Sequence, residues 1–91
     1  MQTNIMKINK VDLSSVKTGD TFIRMLAGVL AMEVVVGDID DTHIWVGSID
    51  DRVLPTKEEG WQFRRDLGTE VDEDLGSDGK NFVISYLKNK E

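Results

Sequence analysis

Residues 29–46 read VLAMEVVVGDIDDTHIWV and hold two apolar runs separated by a short acidic segment. The first run, residues 29–36, is rich in β-branched side chains and is short enough for a β-strand. The second run, residues 42–46, is a further strand candidate. Residues 37–41 contain one glycine and three aspartates, which is typical of a turn. The whole stretch therefore predicts an antiparallel hairpin.

Two more strands are predicted on either side of this hairpin. Residues 21–26 (TFIRML) follow a Gly-Asp turn pair, and residues 81–87 (NFVISYL) alternate along their length. Strands recur about every 10–15 residues, which is the spacing of a small barrel or sandwich rather than of βαβ units. We expect one mainly β domain over residues 1–91, a small antiparallel barrel of the SH3-like or a similar kind. Residues 1–10 are interpreted as a flexible or an edge N-terminal segment.

The sequence of residues 56–67 is compatible with either a helix or a strand. Thr56 starts a TKEE sequence with the form of a helix-capping box, and such a helix would run towards Gly68. Against this, Gly60 would cost a helix about 1 kcal/mol. Aromatic residues also alternate from Trp61 onwards, as in a strand. We favour a loop or a single helical turn over residues 55–60, followed by a strand.

The tripeptide Asp66-Leu67-Gly68 is typical of a three-residue hairpin loop whose glycine has a positive φ. Counting outward from that loop, Phe63 faces Val71 and Arg64 faces Glu70. Such cross-strand pairs are worth about 0.2–1 kcal/mol each. This register predicts that the acidic stretch after Trp61 mainly turns the chain.

Several pieces of the chain occur in a fixed order: Gly19-Asp20, the VLAMEVVV strand, Trp61-x-Phe63 and Gly68-x-Glu70-Val71-Asp72. This ordered set, over residues 16–76, resembles a group of small bacterial proteins of unknown function. The resemblance implies a small β-barrel-like fold and supplies no activity. The pattern of that group has an acid directly after the phenylalanine, where this chain has Arg64. That difference argues against a cation site at this position.

Composition excludes several classes of function. The 91 residues include no cysteine, so disulfides, thiolate nucleophiles and cysteine-type zinc sites are absent. No apolar run approaches the ~20 residues that span a bilayer. Residues 1–10 contain no apolar segment of the kind found in secretory signals, so we expect a cytoplasmic protein.

The net charge of −6 is unevenly distributed along the chain. Residues 1–37 carry four bases and three acids, a net +1, whereas residues 38–91 carry seven bases and fourteen acids, a net −7. An acidic surface repels phosphate, so nucleic acid is not the expected partner. The charge either serves solubility or suits a basic or amphipathic partner.

The acidic segment also raises the question of a metal. The spacing of an EF-hand calcium loop fails at Asp38, Asp72 and Asp74 alike. A looser carboxylate site from Asp72, Asp74 and Asp78 is the alternative, but the main expectation is acids that solvate a turn. We therefore expect no metal and no cofactor.

His43 is the only histidine, and carboxylates alone would have to complete a zinc site with it. The serines show no nucleophile-elbow context, and acid pairs such as Asp50-Asp51 lie in polar turns where carboxylates are usually solvated. The sequence therefore predicts no enzyme.

The function expected from sequence is a non-catalytic binding or assembly module, either a monomer or a small homo-oligomer, with an unidentified protein partner. If Ile44 and Val46 face the core, Trp45 points outward and either anchors a partner or covers an end of the barrel. Trp61 is the second candidate contact. The alternative function is weak metal or small-ligand binding at residues 70–78.

Overall fold

The computed structural model describes residues 11–26, 29–71 and 85–89. They form five strands: β1 (Thr21–Leu26), β2 (Leu30–Ile39), β3 (His43–Ser48), β4 (Trp61–Arg64) and β5 (Ser85–Asn89). All pairings are antiparallel, in one curled sheet of order β4-β3-β2-β1-β5. The described residues contain no helix, and hence none that could cross a bilayer. The prediction of a small, mainly β, barrel-like fold is confirmed.

The β2–β3 hairpin forms as predicted, but its turn is shorter than residues 37–41. The pairing register shifts between Val36 and Ile39, so β2 continues through the expected turn as a bulged strand. The Asp40 side chain then closes the turn: its Oδ1 accepts hydrogen bonds from the backbone N–H of Thr42 (2.9 Å) and of His43 (2.7 Å).

The helix alternative for residues 56–67 is wrong. A single turn forms, in which the carbonyl of Thr56 accepts from the N–H groups of Glu59 (3.1 Å) and Gly60 (2.7 Å). The chain then extends into β4 at Trp61. The prediction of one turn followed by a strand is confirmed.

The hairpin after β4 has the predicted glycine geometry but a different register. Gly68 has a φ of +72°, as expected. Phe63 pairs with Glu70 rather than with Val71, and the N–H of Arg64 donates to the carbonyl of Thr69. The predicted Phe63–Val71 and Arg64–Glu70 pairs are therefore wrong by one residue. The loop holds four residues instead of three, and Glu70 shares the inner face with Phe63.

Residues 68–71 join the two outer strands of the curled sheet. Glu70 lies opposite Phe63 of β4, and Thr69 lies opposite Tyr86 of β5. The N–H of Glu70 donates to the carbonyl of Ser85, and the N–H of Leu87 donates to the carbonyl of Gly68, both at 2.8 Å. This short segment therefore hydrogen-bonds β4 to β5 and draws the half-barrel together.

The inner face of the sheet carries one apolar core. Its buried members are Val11, Leu13, Phe22, Val34, Val36, Ile44, Val46, Phe63 and Leu87. The alternation predicted for this strand is seen in β5, where Ser85 and Leu87 are buried, while residues 81–84 of the predicted strand lie outside the described residues.

Candidate binding surface

The long connection between β3 and β4 folds back over the outer face of the sheet. We call residues 49–60 the Pro55 loop. Pro55 lies against three glycines, and a Cβ at Gly37 would lie only 1.9 Å from the Pro55 carbonyl oxygen. At Gly47 and Gly60 a Cβ would lie 3.3 and 3.0 Å from the Pro55 Cβ. At Gly37 only a glycine permits the loop to approach β2 this closely.

Asp38, in the bulged part of β2, holds the Pro55 loop at two points. Its backbone N–H donates to the carbonyl of Pro55 (3.2 Å), and its Oδ2 accepts from the N–H of Lys57 (2.9 Å). One backbone contact and one contact from the Asp38 carboxylate therefore fix the middle of the loop.

The Pro55 loop changes what the sequence predicted for Trp45. The residue lies on the face opposite Ile44 and Val46, as expected, but only 6% of it is exposed. The Lys57 Nζ lies 5.4 Å from the centroid of the Trp45 ring, and Gly60 packs against the Trp45 Cβ. Trp45 therefore points away from the core, as expected, but its ring lies beneath the Pro55 loop and is not exposed.

Trp61, the second predicted contact, is half-buried and covered by Arg24, whose Cζ lies 4.3 Å from the ring centroid. The Arg24 Nε donates to the Oε1 of Glu70 at 2.9 Å, and the Ser85 Oγ donates to the same oxygen at 2.7 Å. Both members of this ion pair are largely buried. Glu70 is thus engaged by Arg24 and Ser85, which weakens the alternative of a carboxylate site beginning at residue 70.

Three apolar side chains of the Pro55 loop are exposed instead. We call Ile49, Val53 and Leu54 the loop patch; between 40% and 75% of each residue is accessible to solvent. The same loop carries four acids and two bases, a net −2: Asp50, Asp51, Glu58 and Glu59 against Arg52 and Lys57. Sequence reasoning missed this patch, although Val53-Leu54 stands out as an apolar pair in a polar connection.

A groove of about 960 Å³ lies between residues 11–14, 41–43 and 64–66, and Val71 also lines it. The Arg64 Nη2 donates to the Asp66 Oδ2 at 2.6 Å, and this hydrogen bond holds the pKa of the Asp66 carboxyl below its usual value. The pKa of Asp12 is lowered in the same way by hydrogen bonds from Ser14.

His43 lines this groove, with its Nδ1 2.7 Å from the Oγ1 of Thr42. Arg65 beside it donates to the backbone carbonyls of Leu13, Ser14 and Asp40. The His43 Nδ1 and the Arg65 guanidinium thus already have hydrogen-bond partners within the protein. The groove is therefore a contact region between chain segments rather than a set of polar groups open to a ligand.

Among the described residues, no three histidine, aspartate or glutamate side chains cluster closely enough to hold a metal ion. The Asp72, Asp74 and Asp78 alternative lies outside those residues. Comparison with known proteins finds no matching family model, no similar curated protein and no similar solved structure.

Proposed function

We propose that this chain is a non-catalytic binding module whose loop patch takes up a basic amphipathic segment of a partner protein. The observation that carries the proposal is the exposure of Ile49, Val53 and Leu54 on a loop that is seated firmly on the sheet. Grouped exposed apolar side chains often mark interaction sites, especially on loops held by a rigid scaffold.

The anchoring of the Pro55 loop favours binding. A loop that must order on contact loses affinity to conformational entropy, whereas a loop already held by Pro55 and Asp38 loses little. The apolar side chains of the loop patch are thus presented before a partner arrives.

Charge indicates the chemistry of the partner. Acids outnumber bases within the Pro55 loop, and the whole chain carries −6. A segment with lysines or arginines flanking an apolar face would therefore be attracted to the loop and would bury its apolar side against the loop patch. An acidic partner would be repelled.

The test is a titration of the ¹⁵N-labelled protein, followed by NMR, with a synthetic amphipathic peptide of leucine and lysine. We expect saturable shift changes concentrated in the Pro55 loop and a weaker response at high salt. The Val53→Ser/Leu54→Ser variant should lose the response. Val29→Ser, which removes an equally exposed valine elsewhere, should keep it.

Two results would overturn the proposal. One is the absence of saturable shifts up to the solubility limit of the peptide. The other is an equal response to a peptide in which glutamate replaces lysine, because charge complementarity would then play no part.

A further inference from the structure

The start of β2 extends past the end of β3. Residues 30–32 pair with β1, whereas the β2–β3 pairing begins only at Val34 and Ser48. The N–H of Ile49 adds a single bond to the Glu33 carbonyl (3.2 Å). Beyond that point β2 is an edge strand over the residues that the structure describes.

The hydrogen-bonding phase of β2 shows which backbone groups this edge presents. The Glu33 carbonyl points towards β3, and alternate residues of a strand direct their backbone groups to the same side. Ala31 therefore directs both its N–H and its C=O away from β1, and no described residue pairs with it there.

The side chains at this edge are apolar and exposed. Val29, Leu30 and Met32 are between 39% and 78% accessible, and residues 29–32 contain no charge and no proline. Charges, prolines and coverage are the usual devices that keep edge strands from pairing with other chains. This segment has neither a charge nor a proline.

We propose that two copies of this chain pair through this edge, with their β2 strands antiparallel about Ala31. In that arrangement Ala31 lies opposite its own counterpart, and the two residues exchange both N–H···O bonds. Leu30 of each copy then lies opposite Met32 of the other, on the same face of the joined sheets. The edge is thus self-complementary, as a two-fold interface requires.

The charge of the chain defines how the pairing responds to salt. Each copy carries −6, so the two copies repel each other at low ionic strength, and added salt screens that repulsion. Dimerisation should therefore strengthen as salt rises. Binding of a basic peptide to the loop patch should weaken under the same change, so the two proposals respond in opposite directions and can fail separately.

Analytical ultracentrifugation over a range of protein and salt concentrations tests the pairing. The wild type should show a concentration-dependent dimer that increases with salt. Ala31→Pro removes the N–H that faces the second copy while leaving the bonds to β1 in place, and it should be monomeric. Leu30→Lys, which keeps the backbone intact, should also be monomeric.

The loop-patch variant Val53→Ser/Leu54→Ser serves as the matched control and should still dimerise. A wild type that stays monomeric at every concentration and salt would overturn the proposal. So would a dimer that survives Leu30→Lys, or one that is lost only in the loop-patch variant. Circular dichroism of each variant checks that it folds, and Leu30→Lys decides the matter if Ala31→Pro does not.

Discussion

At the residue scale, Asp40 shows how one side chain defines a turn. Its carboxylate accepts hydrogen bonds from the backbone N–H groups of Thr42 and His43. These bonds lower the pKa of Asp40 below its ordinary value, and the bond from Thr42 has the larger effect. Its backbone carbonyl also accepts from Arg65. A single residue thus ends β2, starts β3 and receives the contact from the next hairpin.

The lowered pKa of Asp40 predicts a pH dependence of stability. The folded pKa lies below the unfolded one, so the contribution is fully present above the unfolded value and is lost as pH falls through the folded value. Asp40→Asn should therefore be less stable than the wild type near neutral pH, and the two should converge in acid. Denaturant unfolding of both proteins from pH 7 downwards measures this.

Asp41→Asn, one residue further on and exposed, is the matched control and should show a much smaller difference at neutral pH. A destabilisation of Asp40→Asn that stayed constant down to the lowest pH would contradict the assignment. NMR titration of the Asp40 carboxyl group gives the folded pKa directly.

Gly68 combines a positive φ with a close neighbour. A side chain in the left-handed region costs about 1–2 kcal/mol. A Cβ at Gly68 would in addition lie 3.3 Å from the Val11 Cγ2. Gly68→Ala should therefore destabilise the protein by somewhat more than the backbone cost alone.

A double-mutant cycle with Val11→Ala separates the two effects of Gly68→Ala. In the Val11→Ala background the cost should fall to that of the backbone, because the contact is gone. Equal costs in both backgrounds would show that Val11 gives way freely. Chemical denaturation of the four proteins supplies the numbers.

At the element scale, local patterns predicted the strands, and contacts distant in sequence decided what the patterns could not. β1 has the bounds that were predicted from the local sequence TFIRML alone. The register after β4 was off by one residue because Glu70 turns inward to Arg24, which lies 46 positions earlier in the chain. A register counted outward from the loop at residues 66–68 does not include that contact.

The same distinction explains the candidate site. The alternation of residues 44–46 placed Trp45 correctly on the outer face, yet the loop that covers it is seated by glycines on three different segments. The presence of a glycine in a sequence does not indicate which chain segment will pack against it. The loop patch could therefore be noticed as an apolar pair but not recognised as a presented surface.

Gly37 provides the sharpest test of how the Pro55 loop is seated. In Gly37→Ala the Cβ would meet the Pro55 carbonyl oxygen at 1.9 Å, so the loop must move away from β2. Such overpacking typically costs about 1–3 kcal/mol. We expect a red-shifted tryptophan fluorescence, because Trp45 loses its cover, and faster cleavage by trypsin after Arg52.

Gly47→Ala is the control for this experiment, because its Cβ would meet only the Pro55 Cβ at 3.3 Å, a contact that a small shift relieves. It should resemble the wild type in both fluorescence and cleavage. If Gly37→Ala behaved like Gly47→Ala, the close approach of Pro55 would not be what holds the loop.

At the scale of the whole molecule, the curled sheet is held closed at two places. One is the segment of residues 68–71 between β4 and β5, with the buried pair of Arg24 and Glu70 beneath it. The other is Arg65, which joins the chain before β1 to the turn between β2 and β3. Both joints depend on groups far apart in sequence, so the barrel-like shape is a property of the complete domain.

Arg65 and Arg64 are adjacent, but we expect substitution by lysine to lower the stability of the protein much more at Arg65 than at Arg64. The guanidinium of Arg65 donates to the carbonyls of Leu13 (3.1 Å), Ser14 (3.1 Å) and Asp40 (2.8 Å), three acceptors that a lysine ammonium cannot reach together. Among the described residues, Arg64 pairs only with the exposed Asp66, and surface pairs of this kind contribute little to stability.

Arg65→Lys should therefore lower the free energy of unfolding by about 1–3 kcal/mol, since the part-buried carbonyls of Leu13 and Asp40 lose donors, whereas Arg64→Lys should change it much less. Urea unfolding of the two variants beside the wild type makes the comparison. Hydrogen exchange locates the effect: protection around residues 13–16 and 40–43 should fall in Arg65→Lys alone. Equal losses in the two variants would mean that positive charge at this flank, rather than the fork of donors from Arg65, joins the two segments.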